Sequence, residues 1–234
     1  MNTYRKNAVT AGILLITATA LGILVQALTS PLFAAGDVLA GIAAAPQAMT
    51  TAVFLYFLMA LSCAGIGLSL YPILRQYNES LAIGAAGLRL IEAVVQLLGS
   101  ASLFALLALS QNPAGTQSAL VQMIRSTSDW LSNGPMLISW SLGALLYYYA
   151  FYRHGLAPRW LSLWGLIGIA LALPTAVLAM LNLIPAFGTL QNAANLPIGL
   201  QELVFAGWLI FKGVKVSVPQ PATAPRPVLA AVEA

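Results

Sequence analysis

The chain has 234 residues, of which 60% are hydrophobic and only 7% are charged, and its formal net charge is +4. A soluble domain carries about 25% charged residues, so this composition excludes an ordinary soluble protein. The basic residues are scattered between long apolar runs, which argues against nucleic-acid binding and favours a role in setting membrane topology.

Six apolar segments are predicted to cross a membrane, because each can span a hydrocarbon core of about 30 Å at 1.5 Å per residue. The predicted fold is an all-α polytopic membrane bundle of six transmembrane helices. The first segment exceeds the roughly 7–15 apolar residues of a signal peptide, so we interpret it as an uncleaved helix. The predicted spans are residues 8–29, 49–72, 81–109, 134–152, 159–182 and 197–214.

Prolines mark most of the predicted helix ends, since proline lacks the N–H that helix propagation needs. Pro31 is expected to close the first span and Pro72 the second. Pro135 is expected to open the fourth span and Pro197 the sixth. Pro174 lies within the fifth span, where it predicts a kink.

Two connecting segments and the C-terminal tail are predicted separately. Residues 117–131 are too polar to span and form either a surface amphipathic helix or an extension of the fourth span. Arg125 and Asp129, four residues apart, can pair on one helical face there. Residues 37–46 predict a short surface helix. The transmembrane domain is expected to cover residues 1–216, followed by a proline- and alanine-rich cytoplasmic tail at 217–234 without a fold of its own.

The basic residues predict the orientation of the chain, because cytoplasmic loops carry an excess of lysine and arginine. Both termini are therefore expected in the cytoplasm, with only Arg125 among the loop cations on the opposite side. The predicted cytoplasmic cations are Arg5, Lys6, Arg75, Arg153, Arg159, Lys212, Lys215 and Arg226. An aromatic belt is predicted at the same headgroup level, from Tyr71, Tyr77, Tyr147, Tyr148, Tyr149, Tyr152, Trp160 and Trp164.

Three charged residues lie well inside the predicted spans, away from the span ends, where charges are costly and usually face a partner or a water-filled cavity. Arg89 and Glu92 belong to the third span and Glu202 to the sixth. Counting residues puts the two carboxylates roughly 16 and 18 Å from the cytoplasmic face, close to mid-membrane. Arg89 can bridge both carboxylates through its planar guanidinium if the two spans are neighbours.

The predicted cluster has two polar extensions and two possible roles. Gln96 lies one turn beyond Glu92, and Gln201 is adjacent to Glu202. The five residues form a ligand- or ion-binding site, or they form a structural network that satisfies its own charges. One arginine faces two glutamates, so a dry site would resolve the imbalance by protonating one carboxylate.

Other features argue against catalysis and cofactors. His154 is the only histidine, which excludes paired axial haem ligands and multi-histidine zinc sites. Cys63 is the only cysteine and is interpreted as a small packing residue. Phosphate-binding loops, nucleophile elbows and cofactor motifs are absent from the sequence, so neither a cofactor nor a metal is expected.

Several strings together resemble a large bacterial family of multi-span membrane proteins defined only as a domain of unknown function. The resemblance covers nearly the whole chain apart from the tail, and its strings include Arg89, Glu92 and Glu202. It implies an integral membrane protein of the bacterial cytoplasmic membrane, without an activity, substrate or cofactor. The strings are residues 70–74 (LYPIL), 77–82 (YNESLA), 89–93 (RLIEA), 158–165 (PRWLSLWG) and 200–203 (LQEL).

Three functions are compatible with these residues. The first is a small permease or ion-coupled carrier in which Glu92 and Glu202 bind a proton or cation and Arg89 is their counter-charge. The second is a non-catalytic membrane scaffold that uses the same residues to hold its helices together. An intramembrane enzyme ranks last because nucleophile–base pairs and metal ligands are missing. The lipid bilayer and a small molecule, proton or cation are the expected partners, and the sequence does not reveal the oligomeric state.

Overall fold

A computed structural model describes residues 3–34, 36–112, 118–185 and 188–215, and the elements in these ranges are helical, without strands. The predicted tail at 217–234 and its boundary at 216 lie outside the described residues. The helices are α1 (Thr3–Ala34), α2 (Val38–Ala44), α3 (Pro46–Leu74), α4 (Glu79–Gln111), α5 (Ser118–Asn133), α6 (Pro135–His154), α7 (Arg159–Met180) and α8 (Thr189–Phe211).

Several prolines predicted to end helices lie inside them instead. Pro31 lies within α1, Pro72 within α3 and Pro197 within α8, which begins at Thr189. The predicted start at Pro197 is therefore wrong by eight residues, and α1 and α3 continue for three and two residues past the prolines expected to close them. Backbone groups released by a break in an apolar environment would find no water to bond, so the helix continues past the proline. Pro135 does open α6, and Pro174 lies within α7 as predicted.

Side-chain caps determine where two of the helices start. The side chain of Asn78 accepts a hydrogen bond from the backbone N–H of Leu81 at 2.9 Å, and α4 begins at Glu79. Asp37 accepts bonds from the N–H groups of Leu39 and Ala40 and caps α2, the short helix predicted at 37–46. Such caps satisfy donors that have no partner within the helix. The Asn78 cap thereby sets the register in which α4 presents its charged residues.

Five helices are long and apolar enough to cross a membrane, namely α1, α3, α4, α7 and α8, and they identify a multi-pass membrane protein. Helix α6, predicted as the fourth span, has 20 residues but is not among them. Its tyrosines and serines lower its hydropathy. Several of these polar residues face the protein interior rather than the surface, for example Ser141, Tyr147 and Tyr148.

The six long helices pack in a closed ring around a common interior. Each contacts the next in the order α1, α3, α4, α6, α7 and α8, and α8 returns to α1. Arg5 helps to close the ring, because its guanidinium donates to the carbonyl oxygens of Leu209, Ile210 and Phe211 at the end of α8. A cation at a helix C-terminus satisfies carbonyl groups that lack a helical partner. It also interacts favourably with the negative end of the helix dipole.

Helix α5 is a separate element at the opposite end of the ring from Arg5. It packs on α4, α6 and α7, and Gly134 separates it from α6. The predicted pair is confirmed, with Arg125 Nε 3.2 Å from Asp129 Oδ2. The Arg125 guanidinium also lies 3.8 Å from the centre of the Phe33 ring. The position of this helix at the membrane surface stays a prediction.

The predicted aromatic belt is only partly correct. Tyr149, Tyr152 and Trp160 are exposed on the outer surface, as headgroup-level residues should be. Tyr147 and Tyr148 are instead 1% and 0% exposed and pack with Phe205 of α8 in the core. Neighbouring residues of a helix point about 100° apart, so a run of three tyrosines cannot lie on a single face.

Candidate functional site

The centre of the site is an ion pair within α4. Arg89 Nη1 lies 2.7 Å from Glu92 Oε2, and both side chains are 2% exposed. Residues three apart lie on one helical face, so this pair follows directly from the sequence spacing. At this distance the contact is a charge-assisted hydrogen bond, which is among the stronger interactions available in a protein interior.

Glu202 joins the pair from the other side of the ring. Its Oε1 lies 3.8 Å from Arg89 Nη2, which confirms the predicted contact of Arg89 with both carboxylates. The condition of neighbouring spans is not met, because α4 and α8 do not pack closely on one another within the described residues. They face each other across the ring interior, and the long arginine side chain reaches between them. The 3.8 Å separation is an ion-pair distance and too long for a hydrogen bond.

Helix α6 supplies two further groups to the cluster that sequence reasoning missed. The indole Nε1 of Trp140 donates to Glu202 Oε1 at 3.1 Å, and the Tyr147 hydroxyl lies 3.5 Å from the same oxygen. The Arg89 guanidinium also lies 5.6 Å from the centre of the Tyr147 ring. Trp140 and Tyr147 are seven residues apart, which puts them on one face of α6. This spacing was the signal in the sequence that both side chains could reach the same group.

The two glutamines predicted to extend the cluster behave differently. Gln96 Nε2 donates to Glu92 Oε1 at 3.4 Å and lies 3.5 Å from Cys63 Sγ, so it belongs to the cluster. Gln201 accepts from the Tyr148 hydroxyl at 2.6 Å and donates to the backbone oxygen of Leu161 at 3.0 Å. The prediction for Gln201 is therefore wrong. Adjacent residues on a helix point in different directions, and Gln201 ties α8 to α6 and α7 instead.

The cluster holds buried polar atoms without hydrogen-bond partners. Nε and Nη2 of Arg89 and Oε1 of Gln96 are among them. Leaving such atoms unpaired in an apolar interior costs free energy, so most buried polar groups in proteins are bonded. The exceptions gathered here leave free donors and acceptors at the centre of the ring.

A cavity of about 390 Å³ adjoins these groups and is called the inner cavity below. Helices α1, α3, α4, α6 and α8 form its wall, which is mostly apolar. Its polar lining residues are Thr19, Arg89, Glu92, Gln96, Asn195 and Glu202. The volume lies in the range of small-molecule sites, and few convergent polar groups on an apolar wall are typical of them.

A second cavity of about 450 Å³, the outer cavity, lies between the inner cavity and α5. Its lining includes Arg125 and Asp129 of α5 together with Tyr56 of α3. The two cavities share Gly22, Met59 and Met136, so they adjoin where these residues meet. The outer cavity therefore lies next to the inner cavity on its α5 side.

The charge at the cluster is unbalanced when all three groups are ionised, because two carboxylates face one guanidinium. Such a site gains from binding a proton or a cation, since an uncompensated buried charge is costly. Within the described ranges, no group of three or more histidine, cysteine, aspartate or glutamate side chains is arranged to hold a metal ion. One positive charge would neutralise the cluster in this ionisation state.

Comparison with known proteins identifies one family. A family model described as a domain of unknown function (DUF4386) matches residues 10–213. This match includes all of the charged residues of the cluster and agrees with the resemblance noted in the sequence. No curated protein and no solved structure matches the chain.

Proposed function

The chain belongs to the DUF4386 family, and from its central cluster we propose that it is a small permease or ion-coupled carrier. In this function Glu92 and Glu202 take up a proton or cation, and Arg89 is their permanent counter-charge. The observation that carries the proposal is the inner cavity, which reaches all three side chains. A cluster that only held helices together would gain from being sealed and fully paired.

We further propose six spans, with α6 as a membrane helix and both termini in the cytoplasm of a bacterium. The ring supports this topology, because α6 packs between α4 and α7 along with spanning helices. The excess of basic residues near the α3–α4 and α6–α7 turns supports a cytoplasmic location for that end. The bilayer is then the main partner of the outer surface.

Cysteine labelling tests this topology. In a Cys63→Ser background, a membrane-impermeant maleimide added to intact cells should label Gln122→Cys on α5. Ser80→Cys and His154→Cys should be labelled only after permeabilisation, because they lie at the basic end of the ring. The background variant without an added cysteine is the control. Labelling of both Gln122→Cys and His154→Cys in intact cells would place both ends of α6 on one side and exclude six spans.

Proton uptake into liposomes tests the carrier function. Vesicles with purified protein and an internal pH-sensitive dye should show proton-coupled flux for part of a substrate panel. Glu92→Gln should reduce this flux by about tenfold or more, since a lost charge-assisted hydrogen bond is worth about 1.5–3 kcal/mol. Glu79→Gln, the same change at an exposed position of α4, should leave the flux unchanged.

An absence of flux in this liposome assay would favour the second candidate, a membrane scaffold. The short and fully buried Arg89–Glu92 bond is the observation that supports a structural role. If wild-type vesicles show no flux for any substrate, and Glu92→Gln lowers only the stability of the fold, the carrier function should be abandoned for the scaffold.

A further inference from the structure

We propose that the inner cavity binds a lipid-soluble organic cation, namely an amine with an apolar body whose ammonium group contacts Glu202. This inference names the substrate class of the proposed carrier and therefore rests on that function. It follows from the charge of the cluster, the free polar atoms, the apolar wall and the position of the cavity opening.

The charges of the cavity favour a cation over an anion. Glu92 and Glu202 outnumber Arg89, and the guanidinium already holds Glu92 at 2.7 Å. An anion beside Arg89 would also lie beside the two carboxylates and be repelled by them. A cation near Glu202 would instead balance the charge of the whole cluster, which lowers the cost of keeping it in an apolar interior.

Glu202 is the carboxylate best placed to receive this cation. Its contacts with Arg89, Trp140 and Tyr147 all involve the Oε1 oxygen. No described residue donates a hydrogen bond to its Oε2, which leaves this oxygen available to a ligand. The side chain is 11% exposed, compared with 2% for Arg89 and Glu92. An ammonium group in the cavity can therefore reach Glu202 without breaking the Arg89–Glu92 bond.

The inner cavity contains two unpaired acceptors besides the carboxylates. Gln96 Oε1 and Asn195 Oδ1 are buried without hydrogen-bond partners, and both residues line the inner cavity. A primary ammonium has three N–H donors, which need acceptors in an apolar environment. Polar N–H groups of a ligand therefore find further acceptors along the cavity wall.

The remaining wall suits the apolar body of such a ligand. Leu15, Ile66, Met59, Met136 and Leu137 line the cavity, and methionine side chains adapt readily to different shapes. The indole of Trp140 also lines it, and tryptophan is the aromatic side chain that attracts cations most strongly. These residues provide burial for a hydrocarbon or aromatic group of moderate size.

The opening of the cavity indicates that the ligand enters from the bilayer. Near Gly12 the helices α1 and α8 are in tight contact, since a Cβ atom at Gly12 would lie 2.7 Å from the backbone oxygen of Ala206. Ile23 of α1 lines the cavity and is also 64% exposed on the outer surface. A side chain at Gly199 of α8 would meet no atom within 4 Å. At Ile23 and Gly199 the two helices are thus packed less tightly, and Ile23 faces the lipid that surrounds a membrane protein.

Three ligands of similar shape and different charge test the proposal. Phenethylamine, 3-phenylpropan-1-ol and 3-phenylpropionate are titrated calorimetrically into the wild-type protein in lipid nanodiscs. Empty nanodiscs are titrated in parallel to subtract partitioning into lipid. Only the amine should bind to the protein above this background. Binding of the carboxylate in preference to the amine would overturn the proposal and identify Arg89 as the anchor.

Two variants test the position of the site. Glu202→Gln keeps the size of the side chain and should weaken amine binding by about tenfold or more. Gly199→Leu keeps every charge and fills open space, so it should fold normally and block the amine by occupying the cavity. Glu79→Gln should bind like the wild type. If Gly199→Leu folds and binds the amine with unchanged affinity, the inner cavity is not the site. This outcome is decisive even if Glu202→Gln does not fold.

The outcomes separate this inference from the proposed carrier function. Proton-coupled flux of other substrates without amine binding would disprove the substrate class and leave the carrier function intact. Amine binding that depends on Glu202 without any flux would support the site and contradict the carrier function. The absence of both binding and flux would contradict both.

Discussion

Arg89→Ala is expected to lower the free energy of unfolding by about 3–5 kcal/mol, because it leaves buried carboxylates without their counter-charge. The guanidinium is 2% exposed, contacts Glu92 and Glu202, and lies beside the Tyr147 ring. Its removal also opens a cavity between α4 and α8. Unfolding of the purified protein in mixed micelles, followed by circular dichroism, measures the loss.

A charge-free variant separates stability from function. Arg89→Met, Glu92→Leu and Glu202→Gln together remove the whole charge cluster, and apolar replacements of buried ion pairs are often neutral or stabilising. The triple variant should therefore recover most of the stability that Arg89→Ala loses. A loss of less than about 1 kcal/mol in Arg89→Ala itself would contradict the proposed role of the guanidinium as counter-charge.

The triple variant also decides between the two candidate functions. If it is folded and inactive in liposomes that support wild-type flux, the charges are needed for transport rather than for folding. Flux at the wild-type level in the same variant would exclude the charged cluster as the transport site. A small difference in stability between the triple variant and the wild type does not affect this comparison of flux, because the folded fraction of each protein can be measured before reconstitution.

Gly12→Leu is expected to lower the free energy of unfolding by about 1–3 kcal/mol through overpacking between α1 and α8. A Cβ atom at Gly12 would lie 2.7 Å from the backbone oxygen of Ala206 and 2.8 Å from Ile210 Cγ1. A backbone oxygen cannot move unless the helix that carries it moves. Small residues are frequent where membrane helices approach closely for this reason.

A second glycine provides the control for this prediction. Gly207 lies on α8 next to Ala206, but a Cβ atom there would meet nothing within 4 Å. Gly207→Leu should therefore unfold like the wild type in thermal denaturation of the detergent-solubilised protein. Equal destabilisation by Gly12→Leu and Gly207→Leu would show that the added side chain, rather than the α1–α8 contact, causes the loss.

The charged cluster was accessible to sequence reasoning because it depends on distances along helices. The spacing of Arg89 and Glu92 places both on one face of α4, whatever surrounds that helix. Glu202 could be placed at the same depth because each helical residue advances by 1.5 Å. The contact between Arg89 and Glu202 needs only equal depth and a long side chain, so it forms although α4 and α8 do not pack closely on one another.

Proline positions were poor guides to helix ends for a physical reason. Pro31, Pro72 and Pro197 each remove one hydrogen bond, which in water would favour a break. Inside an apolar environment a break would leave further groups unpaired, so the helix continues. Pro135 stands at the first turn of α6, where its missing N–H has no helical partner to lose, and there the prediction was correct.

The apolar spans, the charges within them and their depth were determined by the sequence alone, because they depend on composition and on the regular rise of a helix. The tertiary structure decided how the helices form a ring. It also decided that Tyr147 and Trp140 point towards Glu202 and that Gln201 points away from it. The same is true of the inner cavity. Which face of α6 points inward depends on what α4, α7 and α8 offer to its polar groups, and a single helix does not contain that information.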